Sequence, residues 1–464
     1  MSALESLGLS ETIAAIATAA GEASIAVIRV SGSEAVSQVD RIFRGGRSLG
    51  RMKSHTVSYG HIVTLSEAAV LDEVLVTVMR GPRTYTTEDV VEISTHGGMN
   101  TVQSVLAEVL RTGVRLAEPG EFTKRAFLGG RIDLAQAEGI MELIQAQTDS
   151  ARVAALSQVE GGLTQRVRGM RQALLELMAH LEVTMDYPEH DEEDATTRLV
   201  AARIRELLED LRALIRYARD GRILREGLRT VIVGRPNVGK SSLLNQLARA
   251  DRAIVTDVPG TTRDVLEETL QIAGVRLRLA DTAGLRETED PVEQLGVARS
   301  RRAMGAAELL LVVIDGSRAL EEDDVRLLAN TRDVRRIILV NKADLPHVVD
   351  LDEVVRLAGE SPVIRYCAVN ETGLLDLESA VVDLSFSQGH PRDMTFLANA
   401  RHLALFERAG DVLERVVVAA ESRVTIDLLA ADVREAWVLL GEVVGETPRE
   451  DLLDQIFRQF CLGK

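Results

Sequence analysis

Gly234-Arg235-Pro236-Asn237-Val238-Gly239-Lys240-Ser241-Ser242 is the stretch on which the fold of this chain turns. The apolar run Thr230-Val231-Ile232-Val233 before it reads as a buried strand. Leu243-Leu244-Asn245-Gln246-Leu247 after it has helical spacing. Strand, glycine-bounded loop and helix form the setting of a phosphate-binding loop. The glycines let backbone N–H groups turn toward a polyphosphate, and the helix N-terminus adds its positive end. Here Asn237 to Ser242 would line the phosphates, with Lys240 reaching the terminal ones and the Ser241 hydroxyl ligating Mg²⁺.

Three later stretches extend the reading. Gly260-Thr261-Thr262-Arg263-Asp264 is a polar loop whose threonine hydroxyl, at Thr262, completes the Mg²⁺ shell when a γ-phosphate is present. Asp281-Thr282-Ala283-Gly284 follows the apolar run Val275 to Ala280, which puts Asp281 at a strand end, where it holds Mg²⁺ through water. Asn341-Lys342-Ala343-Asp344 follows Ile337-Ile338-Leu339-Val340. There the Asp344 carboxylate can accept from both N1–H and the 2-amino group of guanine, a donor pair that adenine lacks. Four stretches in this order and context imply an α/β domain with a mostly parallel sheet that binds and hydrolyses GTP.

The chain has 464 residues, room for about three domains. No stretch approaches the roughly 20 apolar residues of a membrane span, and no basic-then-apolar leader opens the sequence. Cys367 and Cys461 are the only cysteines, too few for a disulfide framework, which suits a reducing cytoplasm. A net charge of −17 argues against a broad basic surface, so any RNA contact is local or supplied by a partner. Neither a membrane nor DNA is expected as a partner.

Residues 1 to about 130 alternate short strands with helical spacing, an α+β unit. Ser24 to Val30, Thr56 to Val63, Glu73 to Met79 and Val90 to Ser94 read as strands, and Val102 to Leu110 as a helix. The polar segments Arg29-Val30-Ser31-Gly32, Thr84 to Asp89 and Glu92 to Gly98 punctuate them; a histidine before two glycines is more often a structured turn than a ligand. From Leu134 the pattern turns helical. Leu156, Val159, Leu163, Val167, Met170, Leu174, Leu177 and Leu181 form one long apolar stripe, and Val200 to Leu214 a second, across an acidic connection at 186–194. Helical stripes return at Leu429 to Val444 and Leu452 to Phe460. The two helical blocks are expected to pack together with the GTPase domain inserted between them. The expected segments are 1–130, 131–225, 226–386 and 387–464.

Together these stretches resemble the tRNA-modification GTPase family called MnmE or TrmE. The likeness runs along essentially the whole chain. It takes in Arg29-Val30-Ser31-Gly32, Glu92 with His96-Gly97-Gly98, Glu118 to Leu128, Ile132 to Glu138, Leu224-Arg225-Glu226-Gly227, the GTPase motifs and the terminal Cys461-Leu462-Gly463-Lys464. The Glu-Pro-Gly-Glu-Phe segment and the Cys-x-Gly-Lys ending narrow it to this family.

The resemblance implies an N-terminal domain similar to the tetrahydrofolate-binding domain of the glycine cleavage T-protein, which also supports a homodimer. Arg29, Glu92, Arg131 and Lys464 match the family's folate contacts, although some members have Lys at the position of Arg131. The folate would be a 5-formyl- or 5,10-methylene-tetrahydrofolate. Cys461 matches the family's terminal cysteine, grouped here with Lys240 and Glu293 as catalytic. Leu285 stands where many small GTPases carry a water-orienting Gln, and no arginine finger is identifiable. The family's answer is a K⁺ ion held by Asn237 and by the loop Thr256-Asp257-Val258-Pro259-Gly260-Thr261, through Thr256, Val258 and Thr261. Glu293 matches its catalytic glutamate. The usual Ser-Ala pair that braces guanine appears as Cys367-Ala368, followed by Val369; the contact is mostly backbone N–H to O6, so the change should cost little. Asn399-Ala400-Arg401-His402 also follows the family pattern and would shape a helix junction. With a flavoprotein partner, MnmG, in a heterotetramer or larger complex, such a protein installs a carboxymethylaminomethyl group at C5 of the wobble uridine of certain tRNAs. Two rival readings are a ribosome-assembly GTPase and a GTP-dependent assembly switch. The lack of a basic C-terminal RNA-binding domain and of a second GTPase copy speaks against the first, and retention of Lys240, Ser241, Asp281 and Glu293 against the second.

Overall fold

The computed structural model describes residues 11–186, 193–250, 268–279, 307–370, 372–386, 398–422, 424–446, 450–460 and 463. They divide into two compact units: Met1–Met141 with Val159–Glu176 and Trp437–Lys464, and Glu142–Gln158 with Leu177–Ala436. The sites expected at Thr256–Thr262, Asp281–Gly284, Glu293, Cys461 and Lys464 lie outside the described residues.

The first unit is built on a seven-stranded sheet in the order β3-β4-β5-β6-β2-β1-β7. Its strands are β1 (Ile13–Ile16), β2 (Ile25–Ser31), β3 (Phe43–Gly45), β4 (Thr56–Val63), β5 (Val70–Met79), β6 (Val90–His96) and β7 (Arg115–Leu116). Helices α1 (Ala35–Ile42) and α2 (Met99–Arg111) pack on one face through Val36, Val39, Val102, Val105 and Val109. On the opposite face Ala117 and Phe122 cover Ile13 and Ala15 of β1, whereas among the described residues the β4–β5 end stays open, and its strands alternate as a half-buried sheet must. On β4, Val57 and Tyr59 are exposed while Gly60 and Ile62 are buried. Register carries that open face across the sheet: Tyr59 lies opposite Leu75, Leu75 opposite Ser94, and Ser94 opposite Val27. Two residues along, Arg29 faces Glu92 directly. Helices α3 (Glu121–Leu128) and α4 (Leu134–Gln145) follow.

The expected stripe from Leu156 to Leu181 is two helices. α5 (Asp149–Val159) ends before Gly161, whose backbone turns left-handed, and α6 (Gly162–Asp186) restarts the spiral. Leu156 is accordingly exposed, whereas Leu163, Val167, Leu174 and Leu181 are fully buried. Spacing alone cannot register such a break, because two helices joined by a short turn keep nearly the same apolar period.

The second unit holds α7 (Glu193–Glu226) and a six-stranded sheet ordered β13-β12-β11-β8-β10-β9. Those strands are β8 (Leu228–Val233), β9 (Glu268–Ile272), β10 (Val275–Leu279), β11 (Leu309–Asp315), β12 (Arg336–Asn341) and β13 (Val363–Arg365). Only β9 runs antiparallel. Both faces are covered, so β11 and β12 read as unbroken apolar runs rather than alternating ones. The helices around it are α8 (Lys240–Ala250), α9 (Glu322–Asn330), α10 (Leu351–Ala358) and α11 (Leu374–Ser385). α12 (Ala400–Glu421) pairs with α7 through a ladder of Arg205–Glu421, Arg212–Glu414 and Arg219–Glu407. Both sets recur every seven residues in opposite directions, the signature of an antiparallel coiled coil. Asn399 caps α12 by accepting from the His402 N–H at 2.9 Å, while the buried His402 ring accepts from the Asn399 N–H. That reciprocal box is the physical content of Asn399-Ala400-Arg401-His402. Helices α13 (Ile426–Val444) and α14 (Glu450–Phe457) close the described chain.

Candidate functional site

In an open parallel sheet, ligands bind beyond the carboxyl ends of the strands where the strand order reverses. Here that point is β8, flanked by β10 on one side and β11 on the other. The loop Gly234–Gly239 leaves its carboxyl end and delivers Lys240 to the first turn of α8. The end of β12 supplies Asn341, and the residues after β13 supply Cys367 and Ala368.

Asn341 joins these pieces. Its side-chain amide donates to the Val238 carbonyl at 2.8 Å and accepts from the Ala368 N–H at 3.4 Å. A Cβ placed on Gly239 would fall 2.1 Å from that amide nitrogen, so only glycine fits there. Asn237 and Lys342 both adopt left-handed backbone, at φ 62° and 63°. Non-glycine residues held this way concentrate at functional loops. Lys342 pairs with Asp315, at the end of β11, at 2.7 Å. Burial would raise the Asp315 carboxyl, but hydrogen bonds from Lys342 and Ser317 prevail and hold it below its ordinary value. Asp344 is exposed and accepts from the Cys367 thiol at 3.2 Å. The side chain at position 367 therefore steadies the Asp344 carboxylate, a role the sequence did not suggest.

Lys240 donates to the Gly234 and Arg235 carbonyls at 2.9 and 2.7 Å, and partial burial pushes its pKa down. The loop is thus closed around its own ammonium, poised for an anion with more charge to offer than two carbonyls. Of the cation ligands expected from the sequence, the two among the described residues, Ser241 on the first turn of α8 and the exposed Asn237 on the loop, offer oxygen donors. That chemistry suits hard cations such as Mg²⁺ and K⁺.

The first unit assembles a second cluster. Arg29 and Glu92 form a two-point ion pair, Nε and Nη2 to the same carboxylate oxygen at 2.9 and 2.8 Å. Tyr85 lies between cations: the Arg29 guanidinium is 5.3 Å and that of Arg131 4.9 Å from its ring centre. Arg131 also donates to the Tyr85 carbonyl at 2.8 Å, and the Tyr85 hydroxyl meets Thr123 at 2.8 Å. The chain's end reaches the same place, where the Gly463 carbonyl accepts from Arg29 at 3.4 Å. A side chain on Gly463 would collide with the Ile16 carbonyl at 2.2 Å. Three of the four folate positions expected from the sequence, Arg29, Glu92 and Arg131, therefore converge. Tyr85, which joins them, was legible only as one residue of a polar segment.

Behind Tyr85 sits a buried charge network. Arg125, fully buried, donates to Glu88 at 3.0 Å and Glu121 at 2.9 Å, and Glu121 also accepts from Arg115 at 2.6 Å. Burial pushes the Glu121 carboxyl up, but its hydrogen bonds from Arg115, the Glu118 N–H and Arg125 outweigh that and lower it. His96 is no ligand in this cluster. Its ring bonds Asp72 at 2.7 Å, an interaction that raises its pKa, and its backbone N–H donates to the same carboxylate at 2.8 Å.

The fold and the first of these sites define a P-loop GTP-binding protein. Residues 134–461 match the family model described as the MnmE helical domain, and residues 12–131 match that of the GTP-binding protein TrmE N-terminus. A tRNA modification GTPase MnmE from Geobacillus thermodenitrificans is 51% identical over 458 residues, covering 98% of this chain and 99% of its own. One from Geobacillus kaustophilus is 50% identical with the same coverage. Among solved structures, the G domain of the T. maritima FeoB iron transporter is 26% identical, covering 34% of this chain and 98% of its own at a TM-score of 0.26. The chain belongs to the MnmE family of tRNA modification GTPases. Among the described residues, no helix is long and apolar enough to cross a membrane.

Proposed function

We propose that this chain is a K⁺-stimulated GTP hydrolase that acts, with a flavoprotein partner of the MnmG type, in adding a carboxymethylaminomethyl group to C5 of the wobble uridine of certain tRNAs. The observation that carries the reading is the meeting of Asn341, the Val238–Gly239 backbone and Ala368 at one end of the sheet, in a chain of this family. Lys240 leaves its two carbonyls for the β- and γ-phosphates, and Asp344 reads guanine while Cys367 steadies it. Ser241 and Thr262 would hold Mg²⁺; Asn237, Thr256, Val258 and Thr261 would hold K⁺, which offsets charge developing between the β- and γ-phosphates. Glu293 orients water.

Folate is the one-carbon source in this reading. The cationic faces around Tyr85 suit a ligand that carries carboxylates and a planar ring, and Glu92 offers an acceptor to the ring's N–H groups. Lys464 and Cys461 follow and precede Gly463, which already touches Arg29. A homodimer fits the open sheet face, where Ile25, Val57 and Tyr59 are each close to 60% exposed on the same side as Arg29 and Glu92. Hydrolysis of GTP moves domains rather than donating atoms, and the setting is the cytoplasm. Hydrolysis measured in KCl against NaCl tests the reading: faster turnover in K⁺ is expected, and equal slow rates contradict the cation mechanism.

A further inference from the structure

In a chain with 71 acidic residues among 464, residues 41–66 contain none, yet they carry Arg41, Arg44, Arg47, Arg51 and Lys53. The segment runs from the end of α1 through β3, a 3₁₀ turn at Leu49–Arg51 and the whole of β4. Arg44, Arg47, Arg51 and Lys53 are all exposed, and among the described residues none has an ion-pair partner. The end of β5 meets the same turn. Arg80 donates to the Gly50 carbonyl at 3.0 Å, its backbone N–H donates to the Ser54 hydroxyl at 2.9 Å, and Arg83 stands exposed three residues on. The acidic side chains bound into this surface are occupied. Asp40 accepts from Ser48 and the Leu49 N–H, both at 2.7 Å, and Asp89 accepts from Arg80 and the Gly81 N–H.

We propose that this cluster, Arg44, Arg47, Arg51 and Lys53 with Arg80 and Arg83, is where the first unit grips the phosphate backbone of tRNA; the inference rests on the tRNA reading above. Guanidinium groups match phosphate geometry, and an isolated basic patch gives an acidic protein the local RNA contact that its net charge denies it elsewhere. Within residues 43–53, which carry the four unpaired cations, Phe43 and Leu49 point inward at 4% and 0% exposure, so no large apolar side chain stands out there to enter a lipid layer; the exposed Val57 and Tyr59 lie further along, on the sheet face assigned above to the homodimer. Arg83 is two residues from Tyr85, at most about 7 Å of extended chain. A phosphate held at Arg83 therefore brings its nucleoside to the edge of the Arg29–Tyr85–Arg131 cluster, where the one-carbon unit is proposed to wait.

The test is binding of a wobble-uridine tRNA to the full chain across a salt titration, for wild type, the triple variant Arg47→Gln/Arg51→Gln/Lys53→Gln, and the charge-keeping variant Arg47→Lys/Arg51→Lys. Anionic vesicles and 5-formyltetrahydrofolate serve as parallel probes. The triple variant is expected to bind tRNA about tenfold more weakly, with a log–log salt slope shallower by about 2–3. The lysine variant should recover most of the slope, and folate binding and GTP hydrolysis should be unchanged. Unchanged affinity and slope in the triple variant would overturn the patch while leaving the tRNA reading intact. A wild-type chain that binds GTP and folate but no tRNA would overturn both. Binding to vesicles in preference to tRNA would replace the RNA with a membrane.

Discussion

The Asn341 end of the second unit and the Arg29 face of the first are built by opposite means. The first of these is a backbone site. Its parts are loops at the carboxyl ends of parallel strands, its key residue Asn341 bonds main-chain groups, and its closest constraint is the missing side chain of Gly239. The other is a side-chain site, in which Arg29, Tyr85, Glu92, Arg131 and the Gly463 carbonyl come from segments spread over more than 400 residues. It stands on a buried ion network centred on Arg125. The lesson is that a backbone site fails locally when altered, whereas a side-chain site fails together with the stability of its unit.

Arg125→Ala should show this at the largest scale. It strands Glu88 and Glu121 without their shared cation, and breaking a buried pair of this kind costs about 3–5 kcal/mol. Urea denaturation should register the loss, while GTP affinity of the folded protein stays near wild type. The pH dependence follows from Glu121. Its folded pKa is lowered, so its stabilisation is complete above the unfolded value of about 4.3 and disappears as pH falls through the lower folded value. Glu121→Gln should remove that acid dependence.

Lys240→Ala should act the other way, leaving the unfolding transition nearly unmoved. Hydrolysis should fall about 10²–10³-fold, the scale of removing one preorganised electrostatic donor. Asp344→Asn is expected to shift preference from guanine toward xanthine nucleotides by about 1–3 kcal/mol, roughly 5- to 150-fold. Competition binding with GTP and XTP measures it, and unchanged selectivity would remove Asp344 from the base-reading role. Tyr85→Leu, which deletes the ring between two guanidiniums, should weaken folate binding by about 0.5–2 kcal/mol, read by isothermal titration. Cys367→Ser should change GTP affinity less than about threefold, because serine can donate to Asp344 as the thiol does.

The same contrast explains what the sequence could tell. The setting of Gly234–Ser242 and of Asn341–Asp344 was legible because each stretch is contiguous and adjoins apolar runs that became β8, α8 and β12. In the first unit β2, β4, β5 and β6 were legible from alternation, β4 at its full extent, whereas β1, β3 and β7 span only four, three and two residues, too few to show a period. The Arg125 network was not, since its four charged residues, Glu88, Arg115, Glu121 and Arg125, read as surface unless their distant partners are known. Nor was the seven-residue ladder joining α7 to α12, because each half looks like ordinary helix-surface charge until the other is placed beside it. Arg29, Glu92 and Arg131 were singled out by family resemblance, and only the fold shows Tyr85 between them.

The most direct test of the account is mass spectrometry of wobble nucleosides in tRNA from cells that lack this chain. The 5-substituted wobble uridine is expected to disappear and to return with the wild-type chain. It should not return with Lys240→Ala, which lacks GTP turnover, or with Arg29→Ala, which lacks the proposed folate contact. An unchanged nucleoside profile, above all one accompanied by defective ribosomal subunits, would contradict it.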